Sequence, residues 1–113
     1  MNNCLFCKII NGEIPSSKVY ENEMVFAFKD INPQTPFHAL VVPKKHVSSV
    51  AEIDQLTNEE IAACLKAIKQ ITAEAGLSDG FRIISNCGKA ACQSVPHLHF
   101  HILGGRQMAE QMA

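Results

Sequence analysis

Apolar and polar side chains alternate strictly over residues 97–103, where imidazoles at His97, His99 and His101 interleave with Leu98, Phe100 and Ile102. Successive side chains of a strand point to opposite faces, so this pattern predicts a β-strand with its apolar residues in the core and three histidines together on the other face. Leu5–Ile10 reads as a short helix closed by Asn11-Gly12, and Val19-Tyr20 with residues 24–28 reads as a hairpin across Glu21-Asn22-Glu23. Residues 39–42 form a further predicted strand ended by Pro43. Thr57 and Glu60 make a capping-box pattern that opens the main helix. Its stripe runs through Ile61, Cys64, Leu65, Ile68 and Ile71 to a stop at Gly76. Ser78-Asp79-Gly80 turns into a strand over 81–85, and a Gly/Ala loop from Gly88 leads to the histidine strand. Several strands with one long helix among them predict an α+β fold with an antiparallel sheet.

No repeat, low-complexity tract or linker divides the 113 residues, so one domain spanning 1–113 is expected. A formal charge of -1 provides no basic field for a nucleic-acid polymer, while a small phosphorylated ligand held by local groups remains open. The start Met1-Asn2-Asn3-Cys4 has no cationic segment leading into an apolar run, and no stretch is long enough to span a membrane. These features predict a soluble cytoplasmic protein whose five cysteines are reduced thiols or metal ligands.

Alternate strand residues lie roughly 6.7 Å apart, so two of the three histidines can share a metal but all three cannot converge on one. At least one is left for nucleophilic or acid–base chemistry. Cys4 and Cys7 have the two-residue spacing that presents two sulfurs to a tetrahedral ion. His46 and His97 are the preferred completing ligands; Cys87 and Cys92 would make an all-thiolate rival, and a redox dithiol is a third reading. Cys64, on the helix stripe, reads as a small core residue. In the small-residue loop, Asn86 and Ser94 are candidates to hydrogen-bond a phosphate or leaving group, against ordinary turn chemistry. Asp30 is either a ribose acceptor or a turn cap, and His38 either a core histidine or one that orients a catalytic imidazole.

Taken together, Asp30-Ile31-Asn32-Pro33-Gln34, His38, Pro43-Lys44-Lys45-His46, Gln93-Ser94-Val95 and the run over 97–103 resemble the histidine triad superfamily along nearly the whole chain. Leu103-Gly104-Gly105-Arg106-Gln107-Met108 further resembles its Hint branch of purine nucleoside phosphoramidases. The resemblance implies a five-stranded antiparallel sheet with one main helix and a short N-terminal helix, joined across a two-fold axis into a ten-stranded homodimeric sheet. It implies His99 as nucleophile, His101 and His38 as supporting histidines, and Asn86, Gln93 and Ser94 about the phosphate and leaving group. Asp30 and Ile31 would meet the ribose. Bacterial members with paired N-terminal cysteines hold structural zinc at the positions matching Cys4, Cys7, His46 and His97. Two departures stand out: Cys92 replaces a common glycine, and the tail Ala109-Glu110-Gln111-Met112-Ala113 lacks the Trp-Pro-Pro-Gly ending of many Hint-branch chains.

The expected activity is hydrolysis of purine nucleoside 5'-phosphoramidates or related mixed anhydrides through a nucleotidyl-histidine on His99, with Ser94 and His101 stabilising the developing charge. The expected partners are purine nucleoside monophosphates and these derivatives. Two alternatives stand beside this reading: a zinc-hydroxide hydrolase using His97 and His99, and a non-catalytic nucleotide-binding or scaffold protein.

Overall fold

The computed structural model describes residues 3–113. Helix α1 (Leu5–Ile10) precedes strands β1 (Lys18–Glu21), β2 (Val25–Lys29) and β3 (Phe37–Pro43). A 3-10 segment (Val50–Gln55) leads into helix α2 (Asn58–Glu74), followed by β4 (Phe81–Ile84), a 3-10 turn (Lys89–Ala91) and β5 (Phe100–Gly104). The five strands form one sheet in the order β1-β2-β3-β5-β4, every neighbouring pair antiparallel.

Period two on β2 and β3 explains why both helices settle on this sheet. Val25 and Ala27 of β2, Val41 of β3 and Ile102 of β5 face α2, against Cys64, Ala67, Ile68 and Ile71. The intervening Phe26, Phe28, Leu40 and Val42 face the other way and bury Phe6 and Ile9 of α1. Both faces being covered, the central strands read as nearly continuous apolar runs. Each fully buried aliphatic side chain contributes about 1.5–3 kcal/mol relative to exposure.

Helix α2 starts as its sequence predicts. The Thr57 hydroxyl accepts from the Glu60 N–H at 3.0 Å, and the Glu60 carboxylate accepts from the Thr57 N–H at 2.8 Å. Leu65 departs from the predicted stripe: it is 51% exposed and lies with Phe81 (41%) and Ile83 (43%) beside an apolar groove of about 450 Å³ between α2 and β4. β4 is therefore an edge strand with an uncovered apolar flank.

The histidine strand is shorter than its alternation predicts. β5 begins at Phe100, and His97, Leu98 and His99 lie ahead of it. Continuing the β3–β5 register past Val41↔Phe100 brings Leu98 opposite Pro43, which has no N–H to donate. Pro96 interrupts the chain on the other side, and Leu98 instead donates its N–H to the Val47 carbonyl at 2.8 Å. The division of faces survives the lost ladder: Leu98 packs with Val47 and Leu56, and Ile102 packs under α2. No helix among the described residues is long and apolar enough to cross a membrane.

Candidate active site and metal centre

Cys4 is the N-cap of α1 and its sulfur accepts from the Cys7 N–H at 3.4 Å, so one helix turn presents both thiols in the same direction. His97 Nδ1 lies 3.3 Å from Cys4 Sγ and 3.5 Å from Cys7 Sγ. His46 Nδ1 lies 3.4 Å from Cys7 Sγ and 3.1 Å from His97 Nδ1. A tetrahedral zinc with Zn–S near 2.3 Å and Zn–N near 2.0–2.1 Å has N–N edges of about 3.3–3.4 Å and N–S edges of about 3.6 Å, so the four donors already stand close to the required spacing.

The outer contacts fit as well. His97 Nε2 sits 2.9 Å from the Pro43 carbonyl, which only accepts, so Nε2 carries the proton and Nδ1 offers its lone pair to the cluster. Burial, with His46 and His99 nearby, lowers the His97 pKa to about 4, although the Pro43 hydrogen bond opposes the shift. The ring is neutral at pH 7, as a ligand must be. Burial first, and Cys4 second, pushes the Cys7 thiol up to about 11, a cost that a bound cation reverses. The donor set thus fits zinc, and the all-thiolate rival does not assemble: Cys87 and Cys92 are exposed, and Cys87 Sγ lies 3.2 Å from Ser49 Oγ. Cys64 is a core residue, 1% exposed.

Phe6, one of the two residues between Cys4 and Cys7, meets both His97 and His99 edge-to-face, at centroid distances of 6.0 and 5.0 Å. His99 Nδ1 lies 2.7 Å from the His97 carbonyl. That carbonyl can only accept, which places the proton on Nδ1 and leaves Nε2 with a free lone pair. Ser85 donates its hydroxyl to the His99 carbonyl at 2.8 Å, continuing by side chain the β4–β5 ladder that ends at the Ile84↔His101 pair. The sequence reading missed both Phe6 and Ser85 as site residues. Ser85 carried one signal, a hydroxyl directly after the apolar pair Ile83-Ile84 at the end of its strand.

His38 on β3 and His101 on β5 share the histidine face, with His38 Nε2 2.9 Å from His101 Nδ1. The Gln34 N–H donates to His38 Nδ1 at 3.0 Å. His38 must therefore carry its proton on Nε2, donate it to His101 Nδ1, and leave His101 with an N–H on Nε2. Asp30 takes the turn-cap part of its two expected roles, Oδ1 accepting from the Asn32 N–H at 2.8 Å, while Oδ2 stands 3.4 Å from His38 Nε2, a contact the sequence did not indicate. Burial lowers the His38 pKa against the opposing pull of Asp30, and burial with His99 and His38 lowers His101 to about 4. Asp30, His38 and His101 are close enough together for an ion, but a metal on His38 Nε2 would require a proton on Nδ1, facing the Gln34 N–H. The trio is a chain of polar contacts from Asp30 through His38 to His101.

Of the other residues expected at the site, Ile31 is 92% exposed next to Asp30 in the chain, Asn86 is half-buried, and Ser94 is exposed. Gln93 has its whole amide engaged within the protein. The loop before Ser94 ends in a Schellman turn: the Gln93 N–H reaches the Gly88 carbonyl at 3.1 Å and the Cys92 N–H reaches Lys89 at 3.0 Å. Cys92 occupies the left-handed position at φ 60°, where glycine is usual. A second cleft, of about 510 Å³, lies away from the histidines, between the turn before β4 and the segment after β5.

The HIT domain family model matches residues 11–108. A maize 14 kDa zinc-binding protein is 46% identical over 106 residues, covering 92% of this chain and 83% of its own. The Arabidopsis thaliana adenylylsulfatase HINT1 is 42% identical, covering 92% of this chain and 72% of its own. A HIT family hydrolase from Clostridium thermocellum superposes with a TM-score of 0.95 at 44% identity, over 100% of this chain and 99% of that one. Sequence, sheet topology and the row of histidines agree: the chain belongs to the histidine triad (HIT) family.

Proposed function

We propose that this protein is a nucleotide-binding hydrolase that cleaves purine nucleoside 5'-phosphoramidates, or related mixed anhydrides, through a nucleotidyl-histidine on His99. One observation carries the reading: the His97 carbonyl holds the proton on His99 Nδ1, so Nε2 is a neutral nucleophile beside a second imidazole, His101, whose hydrogen bond from His38 leaves it an N–H donor. The names of the relatives, a HIT family hydrolase and an adenylylsulfatase, support the same class of chemistry.

In the first step His99 Nε2 attacks the α-phosphorus, a P–Nε2 bond forms and the P–N bond to the amine breaks. The amine leaves with the proton from His101 Nε2, which a solvent water replaces, so that His101 and His38 both stay neutral. The hydroxide so formed attacks phosphorus and breaks the P–Nε2 bond, releasing the nucleoside monophosphate and neutral His99. Ser94 and Asn86 are assigned to the phosphate oxygens, where preorganised donors lower the barrier. Asp30 and the exposed Ile31 are assigned to the ribose side.

Cys4, Cys7, His46 and His97 would hold a structural zinc, which supplies a crosslink between α1 and the approach to β5. The zinc-hydroxide reading lacks support from the geometry, since His97 Nδ1 faces the thiols while His99 is tied through Nδ1 to a carbonyl. The uncovered groove at Leu65, Phe81 and Ile83 supports a homodimer through α2 and β4, an isologous pairing that extends the sheet to ten strands. Five free thiols fit a reducing, cytoplasmic compartment.

The test is trapping. Brief exposure to an adenosine 5'-phosphoramidate labelled in the nucleotide, followed by denaturation at alkaline pH, should leave one labelled peptide containing His99, and His99→Ala should abolish both label and turnover. Turnover with no adduct at any histidine, or undiminished turnover in His99→Ala, refutes the mechanism. Nucleotide binding without turnover points to the scaffold alternative.

A further inference from the structure

Gln93 closes the loop that leads from β4 to the catalytic histidines. Its Oε1 accepts from the Gly88 N–H at 2.8 Å, and its Nε2 donates to the Ser48 carbonyl at 2.7 Å and the Val95 carbonyl at 3.0 Å. A primary amide has two N–H donors, and both are engaged, leaving none for a ligand. The three partners belong to three different stretches of chain: the start of the loop, the segment after the candidate zinc ligand His46, and the approach to His97. From inside, the Gln93 N–H also reaches the Gly88 carbonyl at 3.1 Å, so residues 88 and 93 are tied by main chain and side chain together. Val95 in turn accepts from the His97 N–H at 2.8 Å, which connects the amide to the first residue of the histidine row.

We infer that Gln93 is a positioning residue: its amide clamps the loop to the Ser48 segment, and thereby sets Ser94 and the approach to His97 in the register the reaction requires. The assignment rests on the nucleotidyl-histidine reading and replaces the expectation that the Gln93 side chain touches substrate. Only an amide satisfies this arrangement. Glutamate keeps an acceptor for Gly88 but turns a carboxylate oxygen on two carbonyls; methionine keeps the length and loses all three bonds. Small misplacements of a reacting constellation carry large rate effects, on the order of a hundredfold for about 1 Å.

The experiment compares Gln93→Met and Gln93→Glu with the parent protein, each zinc-loaded, on two adenosine 5'-phosphoramidates that differ only in the leaving amine, one an alkylamine and one an arylamine. Amide hydrogen exchange at Gly88 is measured on the ligand-free proteins. Both variants should lose about 10- to 100-fold in kcat, by the same factor for both amines and with KM little changed, and Gly88 should exchange faster in Gln93→Met. A loss that falls in KM, or that differs between the amines, makes Gln93 a substrate contact and overturns the clamp. So does unchanged exchange at Gly88, or parent-like kcat in Gln93→Glu. Should the parent protein itself turn over neither compound, the phosphoramidase reading fails; the exchange comparison, which needs no substrate, then decides the clamp alone.

Discussion

Replacing Cys92 by glycine should stabilise this protein. Cys92 is the left-handed residue of the Schellman turn before Ser94, at φ 60° and ψ 38°, and it is exposed. A Cβ in that conformation meets the following carbonyl oxygen and costs roughly 1–2 kcal/mol. Glycine removes this cost but gives up about 0.5–1 kcal/mol through the greater freedom of the unfolded chain. An exposed thiol contributes little packing, so the net gain is about 0.5–1 kcal/mol. With an unfolding entropy of about 2.1 cal/mol/K per residue over 113 residues, that corresponds to a rise of about 2–4 °C in Tm. Differential scanning calorimetry of zinc-loaded protein under reducing conditions provides the measurement. Cys92→Ala, which keeps the Cβ, is the control and should stay near the parent. Cys92→Val should melt lower, because a branched Cβ fits the left-handed region worst. A lower Tm for Cys92→Gly, or an equal rise in Cys92→Ala, would refute the argument.

Four further outcomes follow from the geometry. Cys4→Ser or His46→Ala should reduce zinc content, read by metal analysis, and lower Tm, whereas His99→Ala should keep its zinc. Ser85→Ala should lower kcat several-fold, with Ser85→Thr restoring most of it, since one hydrogen bond to the His99 carbonyl, worth about 0.5–1.5 kcal/mol, is removed and then replaced. Because His101 titrates near 4 when folded and near 6.5 when unfolded, the unfolded chain binds more protons in that window. Stability is full above about 6.5 and falls as pH drops toward 4. The urea midpoint should decline over this range, with a shallower slope in His101→Asn. Finally, sedimentation should give twice the chain mass, and Ile83→Asp on the exposed flank of β4 should shift the protein toward monomer.

Local patterns in the sequence determined much of this molecule. Thr57 and Glu60 cap α2 because a capping box needs only residues three apart, and the Cys4/Cys7 pair shares a direction because one helix turn is enough to bring it about. Alternation assigned Leu98 and Ile102 to the core and the histidines to the other face, since that requires only period two. Tertiary structure decided what depends on partners distant in the chain. His46 and His97, rather than Cys87 and Cys92, join the thiols because the approach to β5 runs beside the end of β3, a matter of sheet register that no spacing records. Where β5 begins depends on Pro43 lying across from Leu98, where it withholds a ladder donor. Above all, which nitrogen of each histidine carries the proton is settled by backbone groups, the Gln34 N–H for His38 and the His97 carbonyl for His99. An imidazole in a sequence has two equivalent roles, and only a fixed donor or acceptor in the folded chain selects one.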